Sequence, residues 1–133
     1  MLVDASAMVA MLTLEPEGDG LARILANAGS PITSAIAIYE TAARLMSKSS
    51  LSGEEARRAV DDLLRTANVR VVPIERREAE MALIAFERFG KRRHPAGLDT
   101  GDCFAYACAK AHRARLLFIG DDFSQTDVNA DET

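Results

Sequence analysis

Short runs of unbroken apolar residues, 1–3 and 116–119, alternate along this chain with longer stretches whose apolar positions recur at helical spacing. An unbroken run is what a strand covered on both faces of a parallel sheet shows. After the first run, Met1-Leu2-Val3, a helix is expected over 6–14, stopping near Pro16. Residues 17–28 place Leu21, Ile24 and Leu25 on one helical stripe, with Gly29-Ser30 as the exit. Residues 31–33 read as a short strand, and Ser34 as the N-cap of a helix reaching about residue 48.

Ser52, with Glu55 three residues later, is a capping-box signature opening a helix that passes through Leu63-Leu64 to about residue 67. The β-branched residues of 69–74 predict a third strand. Residues 77–89 predict an amphipathic helix with Met81, Ile84, Ala85 and Phe89 on its apolar stripe. A basic loop containing Pro95 and Gly97 then leads to a helix headed by Asp102, for which Thr100 is the natural N-cap and Asp99 a capping neighbour. Residues 116–119 form the fourth strand, and a last short strand is expected around Val128. Strands alternating with helices predict an α/β domain with a central parallel sheet of four or five strands.

Composition narrows the class. At 133 residues the chain suits one domain with a real core. With 48% hydrophobic residues, no Trp and few aromatics, that core must be aliphatic and alanine-rich. No apolar run approaches the roughly 20 residues of a membrane span, and the N-terminus lacks the basic region of a signal peptide. A cytoplasmic location is therefore expected. Cys103 and Cys108 fall on different faces of one helix, and no second Cys or His pair suggests zinc, so both read as buried free thiols. The net charge of −4 argues against a general nucleic-acid coater. It conceals a basic block, Lys91-Arg92-Arg93-His94, and the later cations Lys110, Arg113 and Arg115. These read either as a solvated loop and helix end or as contacts to a phosphate backbone.

The chemistry lies in acids placed where apolar elements end or where a helix is otherwise nearly free of charge. Asp4 closes the first strand, Asp121 and Asp122 follow the fourth, Glu40 interrupts an apolar helix, and Asp102 heads another. Each has a plain structural reading: Asp4 as a helix cap, Glu40 as an i,i+4 partner of Arg44, Asp102 at a helix dipole, and Asp121-Asp122 as a turn. In an open α/β sheet, however, groups at the C-terminal strand ends converge on one crevice. Converging carboxylates repel one another unless a cation or proton intervenes. The pattern points to a divalent metal; oxygen ligands suit Mg²⁺ or Mn²⁺.

Four segments together resemble the PIN-domain ribonucleases, specifically the VapC toxins of bacterial toxin–antitoxin pairs. They are Leu2-Val3-Asp4-Ala5-Ser6-Ala7, Tyr39-Glu40-Thr41, the stretch from Gly97 through Asp102-Cys103-Phe104-Ala105-Tyr106, and Leu117-Phe118-Ile119-Gly120-Asp121-Asp122-Phe123 continuing to Thr126-Asp127. The resemblance covers nearly the whole chain and implies a single PIN-like domain over 1–133, a three-layer α/β/α fold. It implies Asp4 and Asp102 as main metal ligands, Glu40 as a third acid and Asp122 as the closing one, with Asp121 the alternative by reach. Where relatives commonly carry Thr or Ser after the first acid this chain has Ala5; Ser6, in the next slot, would hold the Asp4 carboxylate or a metal-bound water. It further implies a Mg²⁺-dependent endoribonuclease (Mn²⁺ the alternative ion), RNA as substrate, a homodimer and a VapB-like antitoxin that inserts an Arg near the acids. Lys91, Arg92 and Arg93 would attract the RNA. The rival readings are a PIN fold that only binds a partner and a receiver-like phosphoacceptor module. The latter wants a Lys after the last strand, where this chain has acids.

Overall fold

The computed structural model describes residues 1–129; the acidic Asp131-Glu132 tail lies outside them. In chain order the elements are β1 (Leu2–Val3), α1 (Ala5–Leu12), α2 (Gly18–Ala26), β2 (Ile32–Ser34), α3 (Ala35–Ser49), α4 (Gly53–Thr66), β3 (Arg70–Val72), α5 (Arg76–Phe89), α6 (Thr100–Ala111) and β4 (Leu116–Leu117). A 3₁₀ turn, Phe123–Gln125, follows. The four strands make one all-parallel sheet in the order β3-β2-β1-β4, with Leu2 paired to both Ile32 and Leu116.

Alternation along these short strands divides the core into two layers, since successive strand side chains face opposite ways. Leu2, Ile32, Val72 and Leu116 pack with α5 and α6. Val3 and Leu117 pack with α1, α2 and the start of α3. A small third cluster, Leu45, Ala56 and Val60, holds α4 on α3. The result is the expected α/β/α arrangement with β1 at its centre.

Local signals at helix starts are realised. Ser34 Oγ accepts from the Ala37 N–H, and Ser52 with Glu55 completes a full capping box. Strand lengths differ from expectation for identifiable reasons. The fourth strand ends at Leu117 because the Ile119 N–H turns away to the Ser6 hydroxyl. β3 stops before Pro73, which has no N–H to give the ladder. The strand expected around Val128 is absent: Val128 lies in a turn, and the Asn129 side-chain amide takes its place, accepting from Leu116 N–H and donating to Leu116 C=O.

The buried stripe of α5 is also rotated from expectation. Glu78, Ala82, Ala85 and Phe89 face inward, whereas Ile84 and Leu83 are 51% and 66% exposed. The reason lies in the partner. α6, the helix α5 packs on, buries mostly small residues, among them Cys103, Ala105, Ala107, Cys108 and Ala109, and small residues let two helices approach closely. Buried Glu78 is satisfied by the Arg77 guanidinium and the Glu75 N–H, so it behaves as a cap. Cys103 and Cys108 are buried free thiols, as expected. Among the described residues no helix is long and apolar enough to cross a membrane.

Candidate active site

Because β1 and β4 are neighbours, their C-terminal ends deliver Asp4 and the 119–123 segment to one place. Asp4 leaves β1 with its N–H bonded to Leu117 C=O and becomes the N-cap of α1. Its carboxylate accepts from both the N–H and the hydroxyl of Ser6, at 3.1 and 2.6 Å. The Ser6 hydroxyl in turn accepts from the Ile119 N–H. Asp4 is thus 5% exposed and tied to both strands. Asp4 therefore caps α1 and lines the crevice at the same time.

α3 enters from the next strand. Thr33 Oγ1 donates to Val3 C=O, fixing β2 on β1, and the Ser34 cap sets the helix phase. That phase turns Glu40 and Arg44 toward Asp4, and both line the same cavity. Opposite stands the start of α6. A side chain on Gly101 would overlap the Glu40 carboxylate, so glycine lets the two helices bring that group into the crevice.

The head of α6 corrects the expected cap. Asp99, not Thr100, is the N-cap: its carboxylate accepts from Asp102 N–H at 2.9 Å, and Asp102 accepts from Asp99 N–H at 3.1 Å. A reciprocal capping box needs an acceptor three residues after the cap. Asp99 has Asp102 there, whereas Thr100 would have Cys103. Asp102 is therefore anchored by its capping role as it lines the crevice, and Asp99 lines it too. The Asp-x-x-Asp spacing was the signal that would have brought Asp99 into the site.

The resulting cavity, about 260 Å³, is lined by Asp4, Glu40, Asp99, Asp102 and Asp122, with Glu15 at its edge and Arg44 as its cation. Asp122 lines it and Asp121 does not; the chain turns at Gly120 (φ 104°), and the Asp121 carbonyl accepts from Ser124. Burial, ahead of neighbouring charges, pushes the Asp4 carboxyl above its usual range despite the two Ser6 bonds. Burial followed by the charges of Asp4 and Asp99 raises Glu40 to about 7, against a small opposing effect of Arg44. Asp102 is likewise raised to about 7, first by burial and then by Asp99 and Asp4.

The basic block is adjacent but outside. Lys91, Arg92 and Arg93 are exposed in the turn between α5 and α6, where Lys91 N–H bonds Leu98 C=O immediately before Asp99. Arg93 stacks over Phe86 at 5.0 Å. Lys110 sits towards the far end of α6, donating to Asp127 C=O, and is part of the clamp on the C-terminal segment.

In the unfolded chain Glu40 and Asp102 titrate near 4.5 and 3.8, and in the metal-free fold near 7. Between those values the fold binds more protons than the unfolded chain, so its stability falls as pH rises. The melting temperature of chelator-treated protein is expected to drop between pH about 4.5 and 7. A flat or rising profile there would contradict the clustering of these acids.

The donor set is all oxygen, crowded and short of counter-charge, which is the chemistry of a hard divalent ion. As placed, no three of these carboxylates among the described residues stand close enough to hold one ion alone. Mg²⁺ does not require that, since it commonly takes one or two carboxylates and keeps several waters.

Fold and site together define a three-layer α/β/α domain with a carboxylate crevice at the C-terminal edge of its sheet. A family model described as the PIN domain matches residues 1–129. Ribonuclease VapC of Mycolicibacterium smegmatis is 41% identical over 130 residues, 98% of each chain. Ribonuclease VapC30 of Mycobacterium tuberculosis is 37% identical over 128 residues, covering 96% of this chain and 95% of that one. Among solved structures, the Mycobacterium tuberculosis VapC20 toxin, described as cleaving the sarcin-ricin loop, matches with a TM-score of 0.73 over 92% of each chain at 20% identity, a likeness of fold. This chain belongs to the PIN-domain family, in its VapC ribonuclease branch, and is not the receiver-like module that acids at strand ends also allow.

Proposed function

We propose that this chain is a Mg²⁺-dependent endoribonuclease, with Mn²⁺ as the alternative ion, acting in the cytoplasm as the toxin of a toxin–antitoxin pair. One observation carries the reading: Asp4, Glu40, Asp102 and Asp122, from separate elements, converge with Asp99 in one crevice that raises the first three toward protonation. Asp4 and Asp102 would hold the ion, with Glu40 and Asp122 completing the set. When bound, the ion supplies an activated water and neutralises charge on the scissile phosphate. Ser6 holds the Asp4 carboxylate in its orientation, and Asp99 holds Asp102 through the capping box. Glu40 and Asp122, which line the same crevice, would orient the attacking water by hydrogen bonding. The exposed Lys91, Arg92 and Arg93, next to the α6 head, attract the phosphate chain from outside.

The partners follow from the same surface. A VapB-like antitoxin carrying an Arg would block this crevice by charge alone. Exposed Leu83, Ile84 and Phe86 on α5 support a homodimer, because such an apolar cluster favours being covered. The test is direct. Purified protein is expected to cleave RNA with millimolar Mg²⁺ or Mn²⁺ and to stop when a chelator is added, and calorimetry should show metal heat. Absence of both cleavage and metal heat would leave only a partner-binding PIN fold.

A further inference from the structure

Arg44 stands out among the groups around the crevice. Every other charged residue lining that cavity is an acid, yet the Arg44 guanidinium makes no hydrogen bond or ion pair with any described residue. It acts on Glu40, one helical turn away, only as a weak long-range charge. An arginine kept merely to neutralise the acids would close the contact that i,i+4 spacing offers. Arg44 is instead exposed, and it lines a second, open groove with Ala43, Ser47 and Lys48.

That groove runs outward from the crevice along α3. At about 1.5 Å per residue, Arg44 and Lys48 lie about 6 and 12 Å along the helix axis from Glu40. Ala43 and Ser47 are small, so the groove floor between the two cations is low. Lys48 is held in place by Glu15 at 2.6 Å, and Glu15 also borders the acid cavity. The feature is a shallow track with a largely apolar floor that carries two cations and a hydroxyl, and it shares the Arg44 guanidinium with the acid cavity. A strand of nucleic acid offers the complementary surface, since its phosphates want cations and forked donors while its cut site wants the metal.

We propose that Arg44, with Ser47 and Lys48, forms a phosphate-backbone subsite for single-stranded RNA, holding a phosphate that flanks the scissile one. This rests on the ribonuclease reading above and adds to it the direction in which substrate leaves the crevice. Arg44 is the principal contact because it is unpaired; Lys48 contributes less because Glu15 competes for it.

The experiment measures binding apart from cleavage. Asp102→Asn protein, full length, is titrated with a fluorescein-labelled single-stranded RNA oligonucleotide over a range of salt. Adding Arg44→Ala is expected to weaken binding about fivefold at ~0.1 M salt and to lower the log–log salt slope by about 0.7, the share of one phosphate contact on a single strand. The loss should be similar for unrelated sequences, because a backbone contact carries no sequence information. Arg44→Lys should recover part of it. In otherwise wild-type protein, Mn²⁺ affinity by calorimetry should be unchanged or tighter after Arg44→Ala, since a nearby cation has gone. Unchanged RNA affinity and slope would overturn the subsite. So would a parallel loss of Mn²⁺ affinity, which would place Arg44 in the metal site instead. Should Asp102→Asn protein with Arg44 intact bind no RNA at any salt, the ribonuclease reading itself fails, and the subsite with it.

Discussion

Asp102→Asn is expected to lower RNA cleavage by about 10³-fold or more while the fold survives. The magnitude corresponds to several kcal/mol of metal-dependent charge stabilisation. Asparagine keeps a side-chain oxygen that can accept the Asp99 N–H, so the capping box that starts α6 persists. What disappears is a negative charge in a crevice where burial first, and then repulsion by Asp99 and Asp4, push Asp102 up to about 7. Relief of that repulsion means the metal-free variant should melt at or above the wild-type temperature near pH 7. Gel-resolved cleavage and a thermal melt check both arms, and cleavage within tenfold of wild type would remove Asp102 from the chemistry. Asp102 is a cleaner target than Asp4. The Asp4 carboxylate also caps α1 and anchors the Ser6 link to Ile119, so its removal disturbs structure as well as charge.

The second large effect is expected at a residue with no side chain. Gly101→Ala adds a methyl group where the Glu40 carboxylate now lies, and the flexible end of Glu40 is what must move. Alanine gains about 1 kcal/mol of helix propensity over glycine, which opposes any loss of stability. Cleavage, by contrast, should fall about 10²-fold, because a displacement of about 1 Å in a positioning group carries that penalty. Glu40→Gln gives the control. If Gly101 acts through Glu40, the double variant will be no slower than Glu40→Gln alone, since two changes to one interaction do not add. Additive losses would mean that Gly101 matters for another reason, such as the seating of α6 on α3.

Much of this arrangement is legible in the sequence. Element order, the Ser34 and Ser52 caps and the strand-end positions of Asp4, Asp121 and Asp122 follow from rules reaching only a few residues along the chain. The errors share a cause. The α5 stripe expected at Met81, Ile84, Ala85 and Phe89 holds for Ala85 and Phe89, but α6 buries mainly alanine and cysteine, so Ala82 takes the inward place and Ile84 is left outside. Of the four or five strands the sequence allows, the described residues form four, because the Asn129 side chain satisfies Leu116 where a fifth strand at Val128 would have paired. From the sequence Asp99 reads only as a capping neighbour, although capping and lining the crevice are compatible for one carboxylate.

By itself the sequence determined that strands and helices alternate, that acids follow apolar runs, and that these segments resemble one family. Periodicity and caps encode such things because they depend on neighbours within a turn or a strand. The tertiary structure alone decided that β4 pairs with β1, bringing Asp122 to Asp4, and that Gly101 meets Glu40 across two helices. It also brought Asp122 rather than Asp121 to the crevice and put Arg44 on the same lining. Those outcomes depend on strand order, helix phase and close approach between elements. Such distances are fixed by long-range packing, and no local pattern carries them.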